Sequence, residues 1–104
     1  MKSKGYIFNA SFYTTPKYRG EWEVWLEEEL FPFVKQLLPT IEREVFEVFS
    51  DANQGMQVLS VQFRCSSGEE LELIRQKTNP VFESFRHKFG ERITNFNSIL
   101  SKIH

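Results

Sequence analysis

Cys65 is the only cysteine in the chain, and His87 and His104 are its only histidines. A catalytic thiol needs a base within hydrogen-bond reach. His87 falls near the end of a helical stretch beside Lys88, and His104 stands at the end of the sequence. Neither has an evident route to Cys65. His87 reads as a surface histidine favoured by the negative end of its helix. Cys65 alternates with Leu59, Val61 and Phe63, the pattern of a small buried hydrophobe. One cysteine permits no intrachain disulfide and no cysteine-cluster metal site. No His, Asp or Glu arrangement has metal-ligand spacing. Glu27, Glu28 and Glu29 are adjacent carboxylates on a helix. They point in different directions, so they read as a solvated face and not as an acid/base pair. Gly5, Gly20, Gly55, Gly68 and Gly90 are scattered, so no phosphate-cradling loop is present. No cofactor is implied, and catalysis is not expected.

Binding chemistry is better represented. Asn9, Tyr13, Gln62 and Arg64 occupy alternate positions of two strand-like segments, which aims them at one sheet face. Arg64 would grip a carboxylate or similar anion with two parallel hydrogen bonds. Tyr13 would add an apolar wall with a hydroxyl, and the two amides would orient a ligand. The competing reading is sheet-surface or subunit-contact polarity. In that case Arg64 pairs with a glutamate of a partner subunit or with Glu47 on the neighbouring strand.

These residues depend on six elements. Tyr6 to Thr14 alternates as a strand and stops at Thr15-Pro16, because proline cannot donate to a ladder. Arg19 to Leu38 carries an apolar stripe through Trp22, Trp25, Leu26, Leu30, Val34 (or Phe33), Leu37 and Leu38, the three-to-four spacing of a helix. Pro32 inside it predicts a kink or a division. Phe31 lies off the stripe and is exposed unless Pro32 redirects it. Ile41 to Ser50 reads as a second strand, Asp51–Gly55 as a hairpin loop by composition, and Met56 to Cys65 as a third strand. Ser67 and Glu70 form a capping box that opens a second helix running to Phe89, with a kink at Asn79-Pro80. Gly90 is placed as the left-handed residue that follows a helix end. Arg92 to Ile103 is the fourth and least regular strand.

The order βαββαβ leaves nothing over and predicts an α+β, ferredoxin-like sandwich. It implies a four-stranded antiparallel sheet with both helices on one face, because right-handed crossovers place them there. Residues 1–104 read as a single domain of ordinary size. Phe8, Phe12, Leu59, Val61 and Phe63 are expected to meet Trp22, Leu26, Leu30, Ile74, Val81 and Phe85. The other face is expected to carry Ile7, Asn9, Ser11, Tyr13, Val58, Ser60, Gln62 and Arg64, with Asn95, Asn97, Val45, Phe49 and Ile99 added from the flanking strands. That mixed face is too apolar to stay wholly wet, which predicts a homodimer.

The net charge of −1 leaves no electrostatic footprint for nucleic acid or anionic lipid. The strand order is shared with RNA-recognition modules, but Met56, Val58 and Ser60 stand where stacking aromatics are needed. The positively charged start, MKSKGYIFNA, lacks an apolar run long enough for a secretory signal. No segment approaches the roughly 18 apolar residues of a membrane span. The expectation is a cytoplasmic protein without nucleic-acid or membrane partners.

Three stretches also resemble a known family. They are Glu23-Val24-Trp25-Leu26-Glu27-Glu28-Glu29 followed by Phe31-Pro32, Leu59-Ser60-Val61-Gln62-Phe63, and Phe89-Gly90-Glu91-Arg92. Together they resemble a bacterial domain-of-unknown-function family, number 4286, over nearly the whole chain. That resemblance implies similarity to dimeric α/β-barrel proteins, in which two ferredoxin-like sheets face each other. The family has no assigned activity, so it transfers no catalytic residue. Two readings follow: a homodimeric interaction or binding module without catalysis, or a small-molecule-binding or cofactor-free oxygenase-like protein with its pocket on the open sheet face.

Overall fold

The computed structural model describes residues 5–104. The charged start of the chain, read above as too short for a leader, lies partly outside the described residues. Four strands, β1 (Tyr6–Thr14), β2 (Glu42–Val48), β3 (Gln57–Cys65) and β4 (Thr94–Ser101), form one sheet in the order β2-β3-β1-β4. All neighbouring strands are antiparallel. The helical connections leave β1 and β3 and return to the outer strands β2 and β4. This is the ferredoxin-like α+β arrangement.

The first connection starts earlier than the apolar stripe suggests. Helix α1 (Pro16–Trp25) begins at Pro16, whose fixed φ suits the first helical position. A π-helical turn, Leu26–Leu30, then leads into α2 (Phe31–Leu37). Phe31 N–H reaches back five residues to the Leu26 carbonyl. Pro32 explains the widening: it has no N–H to donate, and its ring would crowd the carbonyl four residues back. The predicted kink is therefore a π bulge within a continuous helical run. The bulge also brings Phe31 inward. Its ring meets Phe63 edge-on at 6.3 Å between centroids, with the Arg43 guanidinium 3.8 Å from its own centroid.

The second connection is α3 (Gly68–Lys77) and α4 (Asn79–Phe89). Ser67 Oγ accepts the Glu70 N–H at 3.1 Å, and the Glu70 carboxylate accepts the Ser66 N–H at 2.9 Å. The capping box thus closes one residue further back than its usual form. Buried Thr78 marks the bend before Pro80, its hydroxyl donating to the Ile74 carbonyl at 2.6 Å. Gly90 ends α4 with φ +55° but ψ −126°, outside the left-handed helical region expected there and in one that favours glycine.

Both helical runs pack on the same sheet face. Phe12 sits 5.5 Å from Trp22, 5.7 Å from Trp25 and 5.2 Å from Phe85 between ring centroids. Trp25 and Phe85 are 4.4 Å apart, so the two runs also meet each other. Edge-on ring contacts of this kind add to the area they bury. The expected core is buried, except that Phe82 takes the central place on α4 and Val81 is only partly covered. Most of the aromatic side chains therefore fill the sheet–helix interface.

Candidate functional site

The sheet face away from the helices is a four-by-four lattice. Reading across β2, β3, β1 and β4, its rows are Glu42–Arg64–Ile7–Leu100, Glu44–Gln62–Asn9–Ser98, Phe46–Ser60–Ser11–Phe96 and Val48–Val58–Tyr13–Thr94. All four candidate residues, Asn9, Tyr13, Gln62 and Arg64, lie on this face. They do not converge on one point. Asn9 and Gln62 are direct partners, Arg64 is one row above, and Tyr13 is two rows below.

The centre of the lattice is polar and internally satisfied. Ser60 Oγ donates to Asn9 Oδ1 at 2.6 Å. Asn9 Nδ2 donates to Ser11 Oγ at 3.0 Å and Ser98 Oγ at 3.2 Å. Gln62 Nε2 donates to Ser60 Oγ at 3.2 Å. Asn9 and Ser60 are only 8% and 6% exposed, although no layer covers them. Their larger neighbours enclose them. Buried polar groups of this kind are retained only when hydrogen-bonded, and these are.

Arg64 is engaged beside the centre. Its Nε and Nη2 donate to Glu44 Oε1 at 3.3 and 3.2 Å. The partner is Glu44 and not Glu47, because Glu47 faces the helix side opposite Leu59, where it pairs with Arg19. Tyr13 stacks on Phe96 with centroids 6.3 Å apart.

Around this centre lie apolar side chains with nothing over them. Phe46, Val48, Phe96 and Leu100 are 44%, 42%, 52% and 43% exposed. None of these four was assigned to this face from the sequence. Asn95, Asn97, Val45 and Ile99 were assigned to this face, but their register partners are Phe12, Ala10, Val61 and Phe8. They lie on the helix side. Phe49 lies beyond the end of β2 and is highly exposed.

Cys65 is 4% exposed. Burial, with the Glu70 carboxylate nearby, pushes its thiol up to about 11. That suppresses the thiolate a nucleophile needs. His87 is exposed on α4. Among the described residues, no group of three or more His, Cys, Asp or Glu is placed to hold a metal ion, and no helix is long and apolar enough to cross a membrane.

Comparison with known proteins agrees with this architecture. Residues 5–103 match the family described as "Domain of unknown function (DUF4286)". The chain belongs to that family. No curated protein matches it. Among solved structures, it is similar to a dimeric ferredoxin-like protein from an uncultured marine organism, with TM-score 0.69 and 11% identity over 99% of this chain and 98% of that one. It is also similar to the de novo designed protein Foldit4, with TM-score 0.58 and 16% identity over 95% of this chain and 99% of that one. At these identities the likeness concerns the fold. A shared fold does not imply a shared function.

Proposed function

We propose that this DUF4286 member is a homodimeric interaction module that docks open sheet face to open sheet face. The observation that carries the reading is the placement of Phe46, Val48, Phe96 and Leu100. All four are substantially exposed, and all lie on the one sheet face that the helices leave bare.

Size supports the reading. Four strands about 4.8 Å apart and eight residues at about 3.4 Å each give roughly 500 Å² in projection. Side-chain relief raises this toward the ~800 Å² per partner of a standard stable interface. Covering each exposed apolar side chain contributes roughly 1–2 kcal/mol. The polar centre is already largely paired, since Asn9, Ser60 and Gln62 take part in one network with nearby serines. Covering it leaves few groups to be satisfied by the partner. The ferredoxin-like neighbour described as dimeric is consistent with such use of the fold.

The alternative of a small-molecule pocket on this face fits these contacts less well. Arg64, the intended anion anchor, is occupied by Glu44, and the amides are turned toward serines. Sedimentation equilibrium of the wild-type chain and of Phe96→Glu tests the docking reading. The wild type is expected at twice the chain mass and the variant at the chain mass.

A further inference from the structure

The helix layer stops short of the outer edge of β4. Asn95, Asn97 and Ile99 point to the helix side. A groove of about 720 Å³ opens there, between the strand and the flank of α3 and α4. That volume falls within the roughly 300–1,000 Å³ of small-molecule sites. The groove runs along the outer edge of β4, and its lining also includes Phe96 and Ser98 of the open face.

Its lining combines one free cation, several amides and an apolar wall. Arg75 is neutralised, with Nε and Nη2 each 2.9 Å from the Glu72 carboxylate. Among the described residues Arg86 has no carboxylate in an ion pair with it. Its hydrogen bond goes from Nη2 to Asn95 Oδ1 at 2.9 Å, a neutral acceptor. Asn95 is itself buried and pinned, its Nδ2 donating to the Ser11 carbonyl at 3.1 Å and to Asn97 Oδ1 at 3.0 Å. A chain of amides therefore orients the Arg86 guanidinium and leaves its charge uncompensated. Ile99, partly exposed beside buried Phe8, supplies the apolar side.

We infer that this groove binds a small molecule bearing one carboxylate on an apolar body, with the carboxylate on Arg86 and the body over Ile99. A single uncompensated guanidinium suits a monoanion. Its planar fork suits a carboxylate, and Asn97 and Asn79 offer amide hydrogen bonds to the remaining polar atoms.

The test is a titration of the ¹⁵N-labelled protein with phenylacetate and, separately, with the neutral phenylacetamide, followed by NMR. The expected result is saturable shifts at the Arg86 Nε–H and the Asn95 and Asn97 side-chain amides. Phenylacetamide should bind at least about tenfold more weakly, as loss of a charge-assisted hydrogen bond demands. Arg86→Gln should weaken phenylacetate to a similar degree. Asn97→Asp keeps Arg86 in place and sets a like charge in the groove; it should abolish binding. Absence of saturable shifts at millimolar phenylacetate, equal affinity for the amide, or undiminished binding by Asn97→Asp in a folded protein would each overturn the assignment.

Discussion

Ser60 and Asn9 are joined by a 2.6 Å hydrogen bond between the two central strands, on a face with no layer above it. Each is nearly inaccessible. The bond pairs the two most enclosed polar side chains of this face, at the centre of its apolar ring.

Asn9→Ala should therefore destabilise the fold. It removes the acceptor for the Ser60 hydroxyl and the donor to Ser11 and Ser98. Leaving a buried hydroxyl without its partner costs about 1–3 kcal/mol. Urea unfolding at fixed protein concentration measures this; an unchanged midpoint would show that the network contributes nothing.

Gly90 gives a test of backbone conformation alone. Its φ is +55°, and a Cβ built there meets nothing within 4 Å. Gly90→Ala is expected to cost roughly 1–3 kcal/mol from a backbone conformation that L residues rarely adopt, with no packing defect. Thermal unfolding should register the loss while the circular dichroism spectrum stays native.

Cys65 predicts a pH window. Its thiol rises from 9.0 to about 11 in the folded chain. Below pH 9 it is protonated in both states and has no pH effect. Between pH 9 and 11 the unfolded chain loses the proton first, so stability falls as pH rises, by up to roughly 3 kcal/mol. The difference in unfolding free energy between wild type and Cys65→Ala should change across that window and be flat below it. A thiol reagent at pH 8 should label the native protein far more slowly than the unfolded one.

The legible part of this fold is its middle. β1 and β3 alternate cleanly because one face lies under the helices and the other does not, so Phe8, Phe12, Leu59 and Phe63 separate from Asn9, Tyr13, Gln62 and Arg64 in the sequence itself. The outer strands lack that contrast. β4 runs past the helix layer, so Asn97 and Ile99 sit on the helix side without being sealed beneath it, while Asn95 beside them is polar and buried. Polarity then says nothing about direction; only pairing with β1 does. Val45 on β2 misleads for the same reason, since it faces the helices yet stays exposed. The groove beside Arg86 depends on residues from β4 and both halves of the second helical run, and no local spacing announces it. The π bulge was half legible: Pro32 signalled a disruption, but its form depends on which carbonyl the widened turn spares.

Charge placed on the open face should separate association from folding. Phe46→Glu and Phe96→Glu lie on opposite edge strands of the same lattice row. Each is expected to weaken self-association by about a hundredfold or more, since a carboxylate is then buried without a partner. Val24→Glu, on the exposed flank of α1, should leave association unchanged.

Sedimentation equilibrium of the wild-type chain at micromolar concentration tests the central claim most directly. Docking through Phe46, Val48, Phe96 and Leu100 predicts a single species at twice the chain mass, reduced to the chain mass by Phe96→Glu in a folded protein. A wild-type monomer at that concentration, or a dimer that Phe96→Glu and Phe46→Glu leave intact, would contradict it.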